Sequence, residues 1–345
     1  MHAIEILRQG DPVAPNVRLR PDHPDPTPGP GMALVRTEAS GLNQLDLWVG
    51  RGVPGFEVTY PAIPGSDAVG TVLALGEGVS DQWSGARVLL NAAVPLHEPP
   101  RPGARSTRPS IQMIGEHGPG TMAEFFTAPV SNLLQVPDQI DPVQAAAFGL
   151  AHLTAWRMLV TRAKLTSGST VLVTGIGGGV AQALMNIAKH FGCEVIVTSR
   201  SQRKLERALE LGADASVLDE GGDFSREVRK LTGKRGVDVC ADSIGQAVHT
   251  SCLKSLARGG TFVTCGCTSG PRAETDLARI FWNELTVVGS TMGDMEEFAQ
   301  VCSHLRSGTL SAVIDSVHPP KEAQSAFSRL ESGDHFGKIV VDWRS

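Results

Sequence analysis

Residues 170–181, Thr170-Val171-Leu172-Val173-Thr174-Gly175-Ile176-Gly177-Gly178-Gly179-Val180-Ala181, decide how the chain is read. An apolar β-branched run passes through a glycine-dense turn into the helical pattern of 179–191 (GVAQALMNIAKHF). Glycines at such a turn permit a tight reversal and close approach of backbone to a pyrophosphate at a helix N-terminus. The spacing G-x-G-x-x-G fails at Val180, whereas G-x-x-G-x-x-A fits Gly175, Gly178 and Ala181. Gly175, Gly177, Gly178, Gly179 and Val180 are therefore read as the phosphate cradle of a nucleotide cofactor. A purely structural turn is the plainer alternative.

The end of the next strand selects the cofactor. An NAD site places Asp or Glu there for the ribose 2′-hydroxyl. Here the stretch is Thr198-Ser199-Arg200-Ser201, followed by Arg203 and Lys204, with no carboxylate before Glu206. Hydroxyls and cations suit a 2′-phosphate, so Ser199, Arg200 and Lys204 point to NADP(H). The competing reading is an ordinary solvated helix face.

Outward from the turn, strand and helix signals alternate. Strand-like 194–198, 215–218, 237–241, 261–265 and 285–289 are separated by helix-like 201–211, 223–232 and 246–257. That order predicts a parallel, doubly wound α/β sheet. After its fifth strand, Cys265-Gly266-Cys267-Thr268 forms a small-residue loop at the carboxyl edge, where ligands of such sheets bind. Gly266 and Thr268 are expected beside the nicotinamide ribose. The first 125 or so residues read instead as short strands broken by Pro/Gly turns, including 32–36, 68–75 and 86–90. The last 50 end in a strand, 338–342. Residues 95–120 form a long Pro-rich loop with Arg101, Arg105 and Arg108, a candidate cover for the site. Segment 280–290 (IFWNELTVVGS) reads as an apolar strand at the sheet edge, which invites pairing with a second copy.

Length and composition set the frame. A chain of 345 residues exceeds one ordinary core. A net charge of −5 argues against nucleic acid or an anionic membrane as partner. No apolar run is long enough to span a bilayer and no leader pattern opens the chain, so a cytoplasmic location is expected. The six cysteines begin at Cys193 and contain no C-x-x-C pair, and are read as reduced thiols.

Several motifs together resemble the medium-chain dehydrogenase/reductase superfamily, nearest its quinone oxidoreductase-like branch. They are Gly41-Leu42-Asn43-Gln44-Leu45-Asp46, Pro64-Gly65-Ser66-Asp67-Ala68-Val69-Gly70, Leu153-Thr154-Ala155-Trp156, the glycine turn, Leu211-Gly212-Ala213-Asp214, Gly236-Val237-Asp238 and Phe336-Gly337-Lys338-Ile339-Val340. The resemblance covers essentially the whole chain. It implies a GroES-like β domain built from both chain ends (1–128 and 291–345) around a Rossmann domain (129–290), with the site in the cleft between them. It also implies a homodimer, and it assigns Lys338 to the cofactor.

Zinc-dependent members of the family place Cys, His and Cys at positions that fall here on Asn43, Ser66 and Leu150. Leucine has no donor atom, and an amide and a hydroxyl are poor zinc ligands. The stretch matching the structural-zinc lobe, about 91–115, contains no cysteine. No metal is expected. Without a Lewis acid, oxidation of a simple alcohol loses its means of stabilising the alkoxide. Hydride addition to an activated C=C or a quinone needs only hydrogen-bond donors for the oxygen on which charge develops. Asn43 is the leading donor, with Thr154 on the nicotinamide side, His152 as a proton relay and Tyr60, the one tyrosine, as a pocket wall; the plainer readings are a turn asparagine, a helix-capping threonine, a satisfied interdomain histidine and a tyrosine packed at a strand end. Asp46 and Asp67 are read as loop-fixing carboxylates.

The expected activity is NADPH-dependent reduction of a small conjugated acceptor. The alternatives are a zinc-free dehydrogenase or carbonyl reductase, a fold redeployed for other pathway chemistry such as cyclisation, and a nicotinamide-binding protein without turnover.

Overall fold

The structure is a computed structural model describing residues 1–53, 55–96 and 110–345. The chain folds as two compact units. One comprises Met1–Leu150, Asp294–Arg306 and Ile314–Ser345, the other Ala151–Gly293 and Ser307–Val313.

The second unit contains a six-stranded, all-parallel sheet. Its spatial order is Ala215–Leu218, Glu194–Ser199, Thr170–Val173, Val237–Asp242, Leu256–Thr264, Thr286–Gly289. The order reverses between Thr170–Val173 and Val237–Asp242, so these two strands flank the topological switch point where doubly wound sheets bind nucleotides. Thr170–Val173 is buried at every residue, as a central parallel strand covered on both faces must be. The crossover helices carry apolar stripes at helical spacing: Ala181, Leu184 and Ala188 on Gly179–His190, Leu205 and Ala208 on Gln202–Glu210. The alternating pattern of the sequence thus yields the α/β Rossmann sheet it predicts.

The first unit is built on a seven-stranded sheet ordered Ile314–His318, Lys338–Asp342, Met32–Gly41, Ala68–Leu75, Arg87–Leu90, Leu133–Gln135, with Phe125–Pro129 also paired to Met32–Gly41. Lys338–Asp342 lies antiparallel to Met32–Gly41, Val340 opposite Gly41. Both chain ends therefore share one core, in which Ile4, Ile6, Leu42, Leu47, Phe327, Ile339 and Val341 are buried together.

Three expectations need revision. The first unit runs to Leu150 rather than ending at 128, because Leu133–Gln135 hydrogen-bonds to Arg87–Leu90. Residues 307–313 belong to the second unit, where Asn186 Nδ2 donates to the Ser311 carbonyl. Segment 280–290 is only partly a strand. Leu277–Trp282 is a short helix, started by Asp276, whose carboxylate accepts the Arg279 N–H. The strand is confined to Thr286–Gly289 after Glu284 turns the backbone at φ 54°. That strand pairs on one side only, and Leu277, Phe281 and Trp282 beside it are 72, 67 and 74% exposed.

Helix Pro142–Trp156 continues into a π-helical turn, Arg157–Arg162, which no sequence pattern announced. Of the long loop, Ala93–Pro95 and Ile111–Met113 pair antiparallel. Arg101, Arg105 and Arg108 lie outside the described residues. Among the described residues no helix is long and apolar enough to cross a membrane.

Candidate active site

The glycine turn of the second unit has the form its sequence requires. Gly175 (φ 64°) and Gly177 (φ 147°) adopt backbone angles that favour glycine. A β-carbon at Gly175 would come 2.6 Å from Ile244 Cδ1, and one at Gly177 within 2.9 Å of the Lys204 ammonium. Nothing lies within 4 Å of the position a β-carbon on Gly178 would take. Gly178 is also the N-cap of Gly179–His190 and has no capping side chain, so the helix's first N–H groups are left for an anion. The turn fits a pyrophosphate, and Lys204 reaches it from the next helix.

Ser199 is buried at the end of its strand, its Oγ accepting the Ser201 N–H, while Arg200 is exposed. Gly266 and Thr268 lie in the loop after Leu256–Thr264, where the Thr268 hydroxyl sits 3.5 Å from the Ser243 carbonyl it donates to.

A residue the sequence reading passed over roots this edge. Asp242 is fully buried. Its carboxylate accepts the Thr174 hydroxyl (2.6 Å) and the N–H groups of Ile244 and Gly245. It thereby joins the two strands of the switch point. Gly245 packs against Cys267 so closely that a β-carbon there would lie 2.8 Å from the Cys267 Cα. Burial raises the Asp242 carboxyl above the usual range, opposed by these three hydrogen bonds. His152 is buried in this unit, and the Thr154 hydroxyl contacts the Met292 thioether at 3.7 Å. Met292 itself holds φ 40°, a strained conformation of the kind that clusters at functional sites.

The first unit gathers Asn43, Asp46, Asp67 and Lys338. Asn43 N-caps the helix Gln44–Arg51 in a capping box with Asp46. Asp46 Oδ2 accepts the Asn43 N–H (2.7 Å) and its Oδ1 the Gly65 N–H (2.8 Å). Asp67 Oδ1 accepts the Leu150 N–H at 2.6 Å. Asp67 Oδ2 accepts both Asn43 Nδ2 and Lys338 Nζ at 2.9 Å. Lys338 Nζ also donates to Asn43 Oδ1 at 2.6 Å. The side chains of Lys338 and Asp67 are 4 and 1% exposed. Asp46 and Asp67 are the loop-fixing carboxylates that the sequence suggested.

Three of the expected site residues have partners within the unit. Asn43 does not present an idle amide, because its oxygen holds Lys338 and its nitrogen faces Asp67 and the Gly41 carbonyl (3.3 Å). Lys338, expected at the cofactor, forms a buried ion pair with Asp67. Tyr60 donates its hydroxyl to the Val49 carbonyl and packs on the first unit's core.

The three positions matched above to zinc ligands carry an asparagine, a serine and a leucine. Leu150 has no donor, Ser66 gives its hydroxyl to the Ile114 carbonyl, and the Asn43 oxygen is taken. Among the described residues no group of three or more His, Cys, Asp or Glu could hold a metal ion.

Residues 29–138 match the alcohol dehydrogenase GroES-like domain and residues 179–307 the zinc-binding dehydrogenase domain. The chain is similar to a crystallised NAD-dependent alcohol dehydrogenase, with 35% identity, 99% of each chain covered and a TM-score of 0.90. It is 26% identical to the quinone oxidoreductase of Rattus norvegicus over 99% of this chain and 97% of that one. It also superposes on a 2-octenoyl-CoA carboxylase reductase in complex with NADP and 2-octenoyl-CoA, with 25% identity, coverage of 99 and 87%, and a TM-score of 0.89.

Asp46 makes the first unit's cluster sensitive to pH. Burial pushes its carboxyl up to about 7, against the pull of the two N–H donors and of Lys338. A folded-state value above the unfolded one means that the native state binds the proton more tightly. Stability is therefore greatest below about pH 4 as far as this group is concerned, and declines as pH rises toward 7. Asp46→Asn should flatten the fall of the melting temperature between pH 5 and 8. A slope unchanged by the substitution, measured by thermal unfolding across that range, would assign the pH dependence to other groups.

Proposed function

The chain belongs to the medium-chain dehydrogenase/reductase superfamily, and from that premise we propose an NADPH-dependent reductase of conjugated C=C or quinone acceptors that works without zinc. The observation that carries this reading is the donor set at Asn43, Ser66 and Leu150, which supplies no thiolate or imidazole. When bound, the cofactor supplies a hydride. Everything else falls to the chain's own groups: the glycine turn and Lys204 for the pyrophosphate, Ser199 and Arg200 for the 2′-phosphate, Gly266 and Thr268 for the nicotinamide side. Hydride arriving at the β-carbon of an enone leaves negative charge on the carbonyl oxygen, and a proton from solvent then completes the α-carbon. Polar hydrogens at Asn43 and Thr154 are the proposed stabilisers of that oxygen, and His152 the proposed relay for the proton.

A zinc-free alcohol dehydrogenase or carbonyl reductase is the second reading, favoured by the similarity to an NAD-dependent alcohol dehydrogenase. The two separate in steady-state kinetics. Conjugated enones and quinones should be reduced at least about tenfold faster than simple alcohols are oxidised, because one lost means of stabilising an oxyanion costs that much or more. Activity should survive chelator, with less than one zinc per purified chain. Alcohol oxidation as fast as enone reduction would replace the first reading by the second.

Cofactor preference is tested by Arg200→Ala. Loss of a charge-assisted contact should weaken NADPH binding by about 10- to 150-fold and leave NADH binding nearly unchanged. Equal losses for both cofactors would remove Arg200 from the 2′-phosphate site.

We further propose a homodimer through the exposed edge strand Thr286–Gly289 and the apolar residues Leu277, Phe281 and Trp282. Light scattering should give twice the chain mass of 36.5 kDa, and Trp282→Glu should return it to the monomer. A wild-type monomer at micromolar concentration would end this proposal.

A further inference from the structure

Lys338 opens the last strand, 295 residues from Asn43 and 271 from Asp67, yet its ammonium donates to both. This geometry fixes the orientation of the Asn43 amide. An ammonium only donates, so the atom it touches at 2.6 Å is Oδ1. A carboxylate only accepts, so the amide atom facing Asp67 is Nδ2. The remaining contact of that nitrogen, to the Gly41 carbonyl at 3.3 Å, is long for an N–H···O bond. Lys338 and Asp67 are buried, whereas Asn43 is half-buried. The loosely held hydrogen of the amide is therefore the one an incoming oxygen can take over. A cation on the amide oxygen also draws electron density from the nitrogen, which strengthens its N–H groups as donors.

We propose that Lys338 is a positioning residue for hydride transfer. Its ammonium, anchored by Asp67, holds and polarises the Asn43 amide so that the N–H now on the Gly41 carbonyl passes to the acceptor oxygen as charge develops there. No bond of Lys338 or Asn43 is made or broken. The role replaces, by a fixed cation acting through one amide, part of the charge stabilisation that a metal gives zinc-using relatives. This inference rests on the reductase reading.

Three kinds of variant and two measurements test it. Lys338→Met alone leaves the Asp67 carboxylate buried without its counter-ion, so Lys338→Met/Asp67→Asn serves as the folded, charge-neutral partner, with thermal unfolding as the check. In that double variant kcat for an enone should fall about tenfold or more, with the KM for NADPH within about twofold of wild type. Lys338→Arg should recover most of the loss. Asn43→Ala should cost about tenfold or more in the wild type and almost nothing further in the double variant, the mark of two residues acting as one unit. A folded double variant with wild-type kcat overturns the proposal, as does a fully additive loss.

The side-chain amide of Asn43 is the second measurement, followed by NMR and identified by its disappearance in Asn43→Ala. Removing Lys338 should move its proton resonances upfield and speed their exchange with water. An unmoved amide overturns the proposal too. This measurement needs no turnover, so a wild type that reduces none of the acceptors defeats the reductase reading while the amide still decides the role of Lys338.

Discussion

A lysine ammonium and an aspartate carboxylate, both withdrawn from water, face each other at 2.9 Å in the first unit. Four distant pieces of chain meet at this pair. Lys338 brings the final strand, Asp67 the strand start at 68, Asn43 the start of a helix, and the Leu150 N–H the helix that closes the unit. A buried ion pair contributes little net stability, but removal of one partner typically costs about 3–5 kcal/mol, because the other is left charged and unsolvated. The pair therefore acts as a constraint: the chain reaches its native arrangement only when its two ends lie in one sheet. Gly41 shows how tight the arrangement is, since a β-carbon there would come 2.6 Å from the Ala146 carbonyl and 3.3 Å from Asp67 Oδ2.

The second unit relies on a different device. The Asp242 carboxylate accepts three hydrogen bonds within its own sheet edge, from Thr174 and from two backbone N–H groups. One strand end leads into the phosphate turn, and the other leads into a loop interlocked with 265–270 through Ser269, Ile244 and the Gly270 carbonyl. A single carboxylate thus sets the glycine turn and the 265–270 loop relative to each other. Fixed geometry of this kind is what hydride transfer demands, because reacting atoms must be held close to their productive distance.

The polar groups of the first unit are ordered by partners within the unit. Where relatives have a thiolate, this chain has an amide tied to a lysine. Where they have an imidazole, it has a serine whose hydroxyl closes a backbone turn. Each replaced position has found a partner, which is what burial requires of polar groups. What these positions offer is hydrogen bonds and one buried cation.

The sequence by itself determined the elements whose causes are local. The glycine turn is legible because Gly175 and Gly177 need backbone angles that other residues resist, and the parallel strands because runs buried on both faces are uniformly apolar. The helix periodicity of 179–191 appears in the structure as Gly179–His190. The family was legible too, since its motifs record short-range constraints. What only the tertiary structure decided is pairing over distance. Residues 280–282, read as the start of a strand, end the helix Leu277–Trp282, because so short an apolar stretch carries no decisive period and a cap at Asp276 decides for the helix. The extent of the first unit depended on a strand pairing between 87–90 and 133–135. The bond of the Tyr60 hydroxyl to the Val49 carbonyl is likewise set by the fold. Of Lys338 the sequence shows the charge, but the carboxylate that pairs with it, 271 residues away, comes near only when Lys338–Asp342 and Ala68–Leu75 lie on either side of Met32–Gly41 in one sheet.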